Sequence, residues 1–205
     1  MAVGIGLVAL LLLAWTLHRR AQAATGEAVD DEAGYPATAT RAWLSVTFRP
    51  IRAGLNLLSA TSENEIVVTN TGDVTAEDVR VLTRLTSAHT GQEAEIATLY
   101  DAPIVRPATP AFTLQPGEQR VLTSIAALPR DAIHTLTAGG RPMFVPIVAV
   151  NVTYATAGID GQFAQAFAIG VERVDSSKLA PFWLDAPPRS FDQVAARPHA
   201  VAVER

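Results

Sequence analysis

From Arg41 onward apolar and polar residues alternate two by two, and that period limits what the chain can fold into. Leu44, Val46 and Phe48 alternate with Ser45 and Thr47, after which Pro50 ends the strand or marks it as an edge. Glu65–Asn70 reads as a second strand. The turn Thr71-Gly72-Asp73 follows, with Asn and Gly supplying positive φ. In the next segment Val79, Val81, Thr83 and Leu85 point one way, and Arg80, Leu82 and Arg84 the other. One buried and one wet face is the pattern of an antiparallel sheet. Gly91–Tyr100 breaks the alternation; its helix formers and the spacing of Ile96, Leu99 and Tyr100 predict a short helix. Pro103, Pro107 and Pro110 force an irregular path beyond it.

Strands resume at Phe112-Thr113-Leu114, and a Pro116-Gly117 turn leads into Gln119–Ala127. Pro129–Leu136 predicts one or two helical turns, and Gly139-Gly140-Arg141-Pro142 a loop. Phe144–Tyr154 is apolar, β-branched and too β-prone for a helix, with Pro146 near its start or on an edge. A turn at 158–161 joins it to Gln162–Val174 in the best hairpin of the chain. Seven strand candidates with no βαβ alternation make the chain mainly β. The expected fold is an immunoglobulin-like antiparallel β-sandwich over residues 41–175 with short helical insertions. The chain has no Cys, so its core must hold by apolar burial alone, and 49% hydrophobic residues supply it. Disulfides, thiolate catalysis and Cys-ligated metals are excluded with them.

Two flanks differ in texture from this middle. Residues 1–17 carry no charged side chain, and His18-Arg19-Arg20 stops the run. At ~1.5 Å per residue it spans roughly 25 Å, the short end for a membrane helix. Residues 1–20 read as a single-pass transmembrane helix contacting the lipid bilayer. A cleaved signal and a buried apolar segment are the competing readings. A secretory signal carries its positive charge before the apolar run, and here Arg19 and Arg20 follow it. The same two arginines give a small bias that puts the soluble part on the cytoplasmic side of the cell membrane. Residues 21–40 read as a flexible linker made acidic by Glu27, Asp30, Asp31 and Glu32. Residues 176–205 read as a C-terminal tail holding Phe182, Trp183 and Phe191 beside Pro187-Pro188. Either Phe182 and Trp183 pack back onto the domain, or the three aromatics bind a protein partner, with Trp183 the first choice of anchor.

Residues Ile66–Val81 hold a strand, an Asn-Thr-Gly-Asp turn and a second strand, and Leu114-Gln115-Pro116-Gly117-Glu118 is a "leucine, any, proline, glycine, acidic" turn. Together they resemble the bacterial immunoglobulin-like sandwich domains of the CARDB type. The resemblance implies a non-catalytic interaction or spacer module of a cell-envelope protein.

Motifs for chemistry are sparse. There is no Gly-x-Ser-x-Gly, P-loop or Gly-x-Gly-x-x-Gly. His18, His89, His134 and His199 are scattered, with Asp131 and His134 at a spacing for a helix-surface contact. Gly139-Gly140-Arg141 is read as a tight glycine turn before an anion site. The sequon Asn151-Val152-Thr153 lies in an apolar strand that admits no glycan. A net charge of −4 offers no field for nucleic acid. Arg49 and Arg52 are the weak candidates for lipid headgroups. No cofactor, metal or catalytic residue is assigned. The expected function is a membrane-anchored, non-catalytic binding or scaffolding module acting through the sandwich surface or the tail. The alternative is a hydrolase-like enzyme with an unrecognised acid/base site on the sandwich loops, and carboxylates or histidines converging in one cleft would favour it.

Overall fold

The computed structural model describes residues 41–205, so the membrane helix, its arginines and the acidic linker expected over 1–40 lie outside the described residues. Among the described residues no helix is long and apolar enough to cross a membrane.

The strands in chain order are β1 (Leu44–Leu55), β2 (Ser59–Asn70) and β3 (Ala76–Ser87), then helix α1 (Gln92–Asp101). β4 (Phe112–Leu114), β5 (Gln119–Pro129), β6 (Leu136–Ala138) and β7 (Arg141–Phe144) follow. The long hairpin is β8 (Pro146–Thr156) and β9 (Ile159–Arg173). The chain closes with β10 (Ser176–Ala180), β11 (Phe182–Trp183), β12 (Arg189–Phe191) and β13 (Val194–Glu204). One sheet runs β12-β1-β2-β5 and the other β10-β9-β8-β3-β4, with β13 also along β9; β11-β7-β6 form a small third sheet. Every pairing is antiparallel.

The two large sheets share one core. Leu44, Ile66, Val68 and Leu122 come from the first, and Val79, Val81, Val150 and Ile169 from the second. Phe48 of β1 stacks on Phe167 of β9 with ring centroids 4.5 Å apart. A mainly-β sandwich of antiparallel sheets is therefore the architecture. Five of the seven expected strands fall inside an observed one; Phe144–Tyr154 divides between the end of β7 and β8, and Gln162–Val174 overruns β9 by one residue. β8 is buried on both faces, because α1 lays Ile96 and Tyr100 over Ile147, Ala149, Ala164 and Ala166 on the far side of the sheet. Double burial explains why this strand reads as continuous apolar residues.

Four expectations need correction. Pro50 does not end β1 but, as the other reading has it, lies on an edge: β12 pairs only with Ala53–Leu55, and the strand continues to Leu55 through a register shift between Pro50 and Arg52. Positive φ is absent at Asn70 and Gly72. Asn70 shapes that loop with its side chain instead, donating to Val74 O (2.7 Å) and Leu114 O (3.1 Å) and accepting the Gly72 amide (3.0 Å). Gly72 is needed for space: a Cβ there would lie 2.6 Å from Trp43 N. The β8–β9 turn is Ala157-Gly158, with φ of 48° and 80°, one step earlier than expected. Two positive φ values make the two-residue turn that matches strand twist.

The fourth correction concerns the tail. Residues 176–205 are not a separate segment, since β10, β12 and β13 pair with the two large sheets and β11 pairs with β7. β13 alone runs beside β9 from Val194↔Val171 to Glu204↔Phe163. The tail lacks a clean period because its strands are short or broken, as β13 is between His199 and Val203.

Candidate functional site

Two short strands set the site. β11 pairs with β7 through Phe182↔Phe144 and Trp183↔Met143, and β12 pairs with the end of β1 through Ala53↔Phe191 and Leu55↔Arg189. The loop between them, with Pro187 and Pro188, is thus held at both ends. Gly54 makes the close approach possible, because a Cβ there would lie 2.6 Å from Ser190 Cα.

This arrangement brings all three aromatics named from the sequence around one apolar pocket of about 130 Å³, with Leu55, Ala186, Pro187 and Arg189 completing its wall. Phe182 belongs to the core at 2% exposure, so it cannot be an exposed anchor. It meets Phe191 edge-on at 5.5 Å and Phe144 at 6.2 Å, the tilted geometry that aromatic quadrupoles favour. Trp183 and Phe191 are half-buried and remain reachable.

Arginines cap both of those rings. Arg141 lies 4.3 Å from the Trp183 ring centroid, and Arg189 lies 4.0 Å from that of Phe191. Arg141 is neutralised by Asp185 through two 2.8 Å hydrogen bonds. Those bonds hold the Asp185 carboxyl below its ordinary range and raise the Arg141 guanidinium above its own. Arg189 has no ion-pair partner among the described residues, so the mouth of the pocket carries one uncompensated cation. A pocket of about 130 Å³ is well below the roughly 300–1,000 Å³ of small-molecule sites. It has the size for one apolar side chain of a partner. The sequence pointed to the aromatics through their proline context, but nothing in it placed Leu55, Arg141 or Arg189 beside them.

A second, larger cleft of about 600 Å³ is lined by Asp78, Asp101 and Asp160 together with Arg80, Gln162 and Arg205. Carboxylates do converge there. Asp78 pairs with Arg80 at 3.1 Å and Asp101 with Arg205 at 2.8 Å, while Asp160 has no ion-pair partner among the described residues. Nearby, Asn151 of the sequon is fully buried and accepts the Gln162 side-chain amide at 2.9 Å.

The histidines are less scattered than their sequence positions. His89 and His134 stack with centroids 4.0 Å apart, and His89 Nδ1 lies 2.9 Å from Ser87 O. A carbonyl only accepts, so the proton sits on Nδ1 and Nε2 faces Glu95 at 3.9 Å. The expected Asp131–His134 helix contact is absent, because only Arg130–Ala132 is helical and His134 lies beyond it. Among the described residues no group of three His, Asp or Glu is placed to hold a metal ion. Arg49 and Arg52, the candidates for lipid headgroups, pair with Glu65 (2.9 Å) and Asp192 (2.6 Å). Gly139 and Gly140 form a tight turn with φ of 58° and 77°.

No family model, curated protein or solved structure matches the chain.

Proposed function

We propose that this chain is a membrane-anchored, non-catalytic binding or scaffolding module, built on an immunoglobulin-like sandwich of the CARDB type. Residues 1–17 hold it in the cell membrane, and the sandwich engages a protein partner. The observation that carries the binding role is the convergence of Phe182, Trp183 and Phe191 on one side-chain-sized pocket with an unpaired cation at its mouth. The partner presents an apolar side chain for the pocket and an acidic residue for Arg189.

Arg189 is exposed, so replacing it leaves the core intact. Arg189→Glu is expected to lower the yield of partner crosslinked and co-purified from native membranes by roughly 30-fold, the loss of a ~2 kcal/mol hot spot. The melting temperature stays unchanged. Undiminished capture by this variant and by Trp183→Ala removes the pocket from the function.

The three carboxylates of the larger cleft favour a second reading, a hydrolase whose free carboxylate is Asp160. A panel of chromogenic esters and glycosides tests it. Turnover abolished by Asp160→Asn supports this reading, and a panel without turnover discards it.

A further inference from the structure

β5 is the outermost strand of its sheet and is bonded on one side only, to β2. The Arg130 amide donates to Leu58 O at 2.9 Å, continuing a hydrogen-bonded set of even-numbered residues. The amides of Val121, Thr123, Ile125 and Ala127 therefore project from the open edge. None of them donates to a backbone carbonyl among the described residues. Pro129 falls in the same outward set, where its missing N–H removes no bond from the sheet.

Edges that stay single are guarded by charge, bulges or shortness. β5 is neither short nor bulged, and its only guards, Arg120 and Pro129, stand at its two ends. It is 11 residues long, keeps an unbroken register against β2, and carries no charged side chain from Val121 to Leu128. Val121 and Ile125 stand 56% and 72% exposed on its outer face. On the inner face the Ser124 hydroxyl is buried without a partner. A buried polar atom left unpaired asks for the group that completes it.

We propose that β5 pairs antiparallel with β5 of a second copy of this chain, across a two-fold axis at Ser124. The two first sheets then become one continuous sheet. Ser124 and its symmetry mate form a non-hydrogen-bonded backbone pair in which the two buried hydroxyls meet side chain to side chain. Thr123 faces Ile125 and Val121 faces Ala127, so β-branched and apolar groups cover one another. At both ends Glu118 of one copy comes opposite Arg130 of the other, an attraction. Advancing the register by two residues would set Arg120 opposite Arg130, a repulsion. An isologous contact of this kind closes at two copies.

The chain has no native cysteine, so Ser124→Cys gives one thiol per copy at the axis. Opposed residues in a non-hydrogen-bonded pair have Cα atoms about 4.5 Å apart, within the reach of a disulfide. Mild oxidation of the full-length variant is expected to give a covalent dimer. Ile159→Cys, an exposed apolar position at the start of β9, is expected to remain uncrosslinked. In sedimentation the unmodified full-length chain runs as a dimer, and Ile125→Lys runs as a monomer with unchanged melting of the fold. A wild-type chain that is monomeric at every concentration overturns the proposal. So does a folded Ser124→Cys variant that crosslinks no better than Ile159→Cys, and so does a monomer that co-purifies with a strand of another protein on this edge.

Discussion

Phe182→Ala is expected to destabilise the domain by about 3–5 kcal/mol, the range for truncating a buried aromatic. In a domain of this size each kcal/mol lowers the melting temperature by roughly 2–4 °C, so calorimetry is expected to show a fall of about 6–20 °C. The size follows from position. Phe182 is among the largest fully buried side chains, wedged between Phe144 and Phe191. Its β11 is only two residues long and holds its register through Phe144 and Met143. Removing the ring empties the joint between the small third sheet and the main core. Phe182→Leu keeps most of the volume and is expected to lose less than half as much. Equal melting of the Ala variant and the wild type would show that this ring does not tie the tail to the sandwich.

Asn70→Ala has the second largest expected effect. Asn70 is fully buried, and its amide holds Val74 O and Leu114 O while its carbonyl oxygen takes the Gly72 amide. Alanine orphans all three backbone groups. At roughly 1–3 kcal/mol for each group left dry, the total is about 3 kcal/mol or more. Urea titration is expected to show a lower midpoint with an unchanged slope, which marks lost stability without a change in compactness. Asn64→Ala is the internal comparison. Asn64 is equally buried, but its side chain bonds only to Ser62, two residues away on the same strand. It joins no separate segments, so its loss is expected to be smaller than that of Asn70. The reverse order would refute the role given to the Asn70 network.

These two residues mark where the sequence is legible and where it is not. The strands that pack one face inward announce themselves by period. β3 buries Val79, Val81 and Leu85 and exposes Arg80 and Arg84, as the alternation requires. α1 is legible for the same reason, with Ile96 and Tyr100 one turn apart on its buried face. A local rule sees in Asn70 only a turn residue that supplies positive φ. Its real partners include Leu114 O, 44 residues away, and no local rule reaches that far. The C-terminal strands failed for another reason. β10, β11 and β12 have five, two and three residues, too short to display a period. The pocket was half legible. Phe182, Trp183 and Phe191 stood out as aromatics that should avoid water, but their meeting with Leu55 depends on Gly54 letting β12 approach β1.

The pairing of β1 with β12 sets the order of events during synthesis. Ala53 finds its place beside Phe191 only after 138 further residues have been made, the difference of those two numbers. Such distant pairings are slow to close. Until then Ala53–Leu55 at the far end of β1 lack their second partner strand.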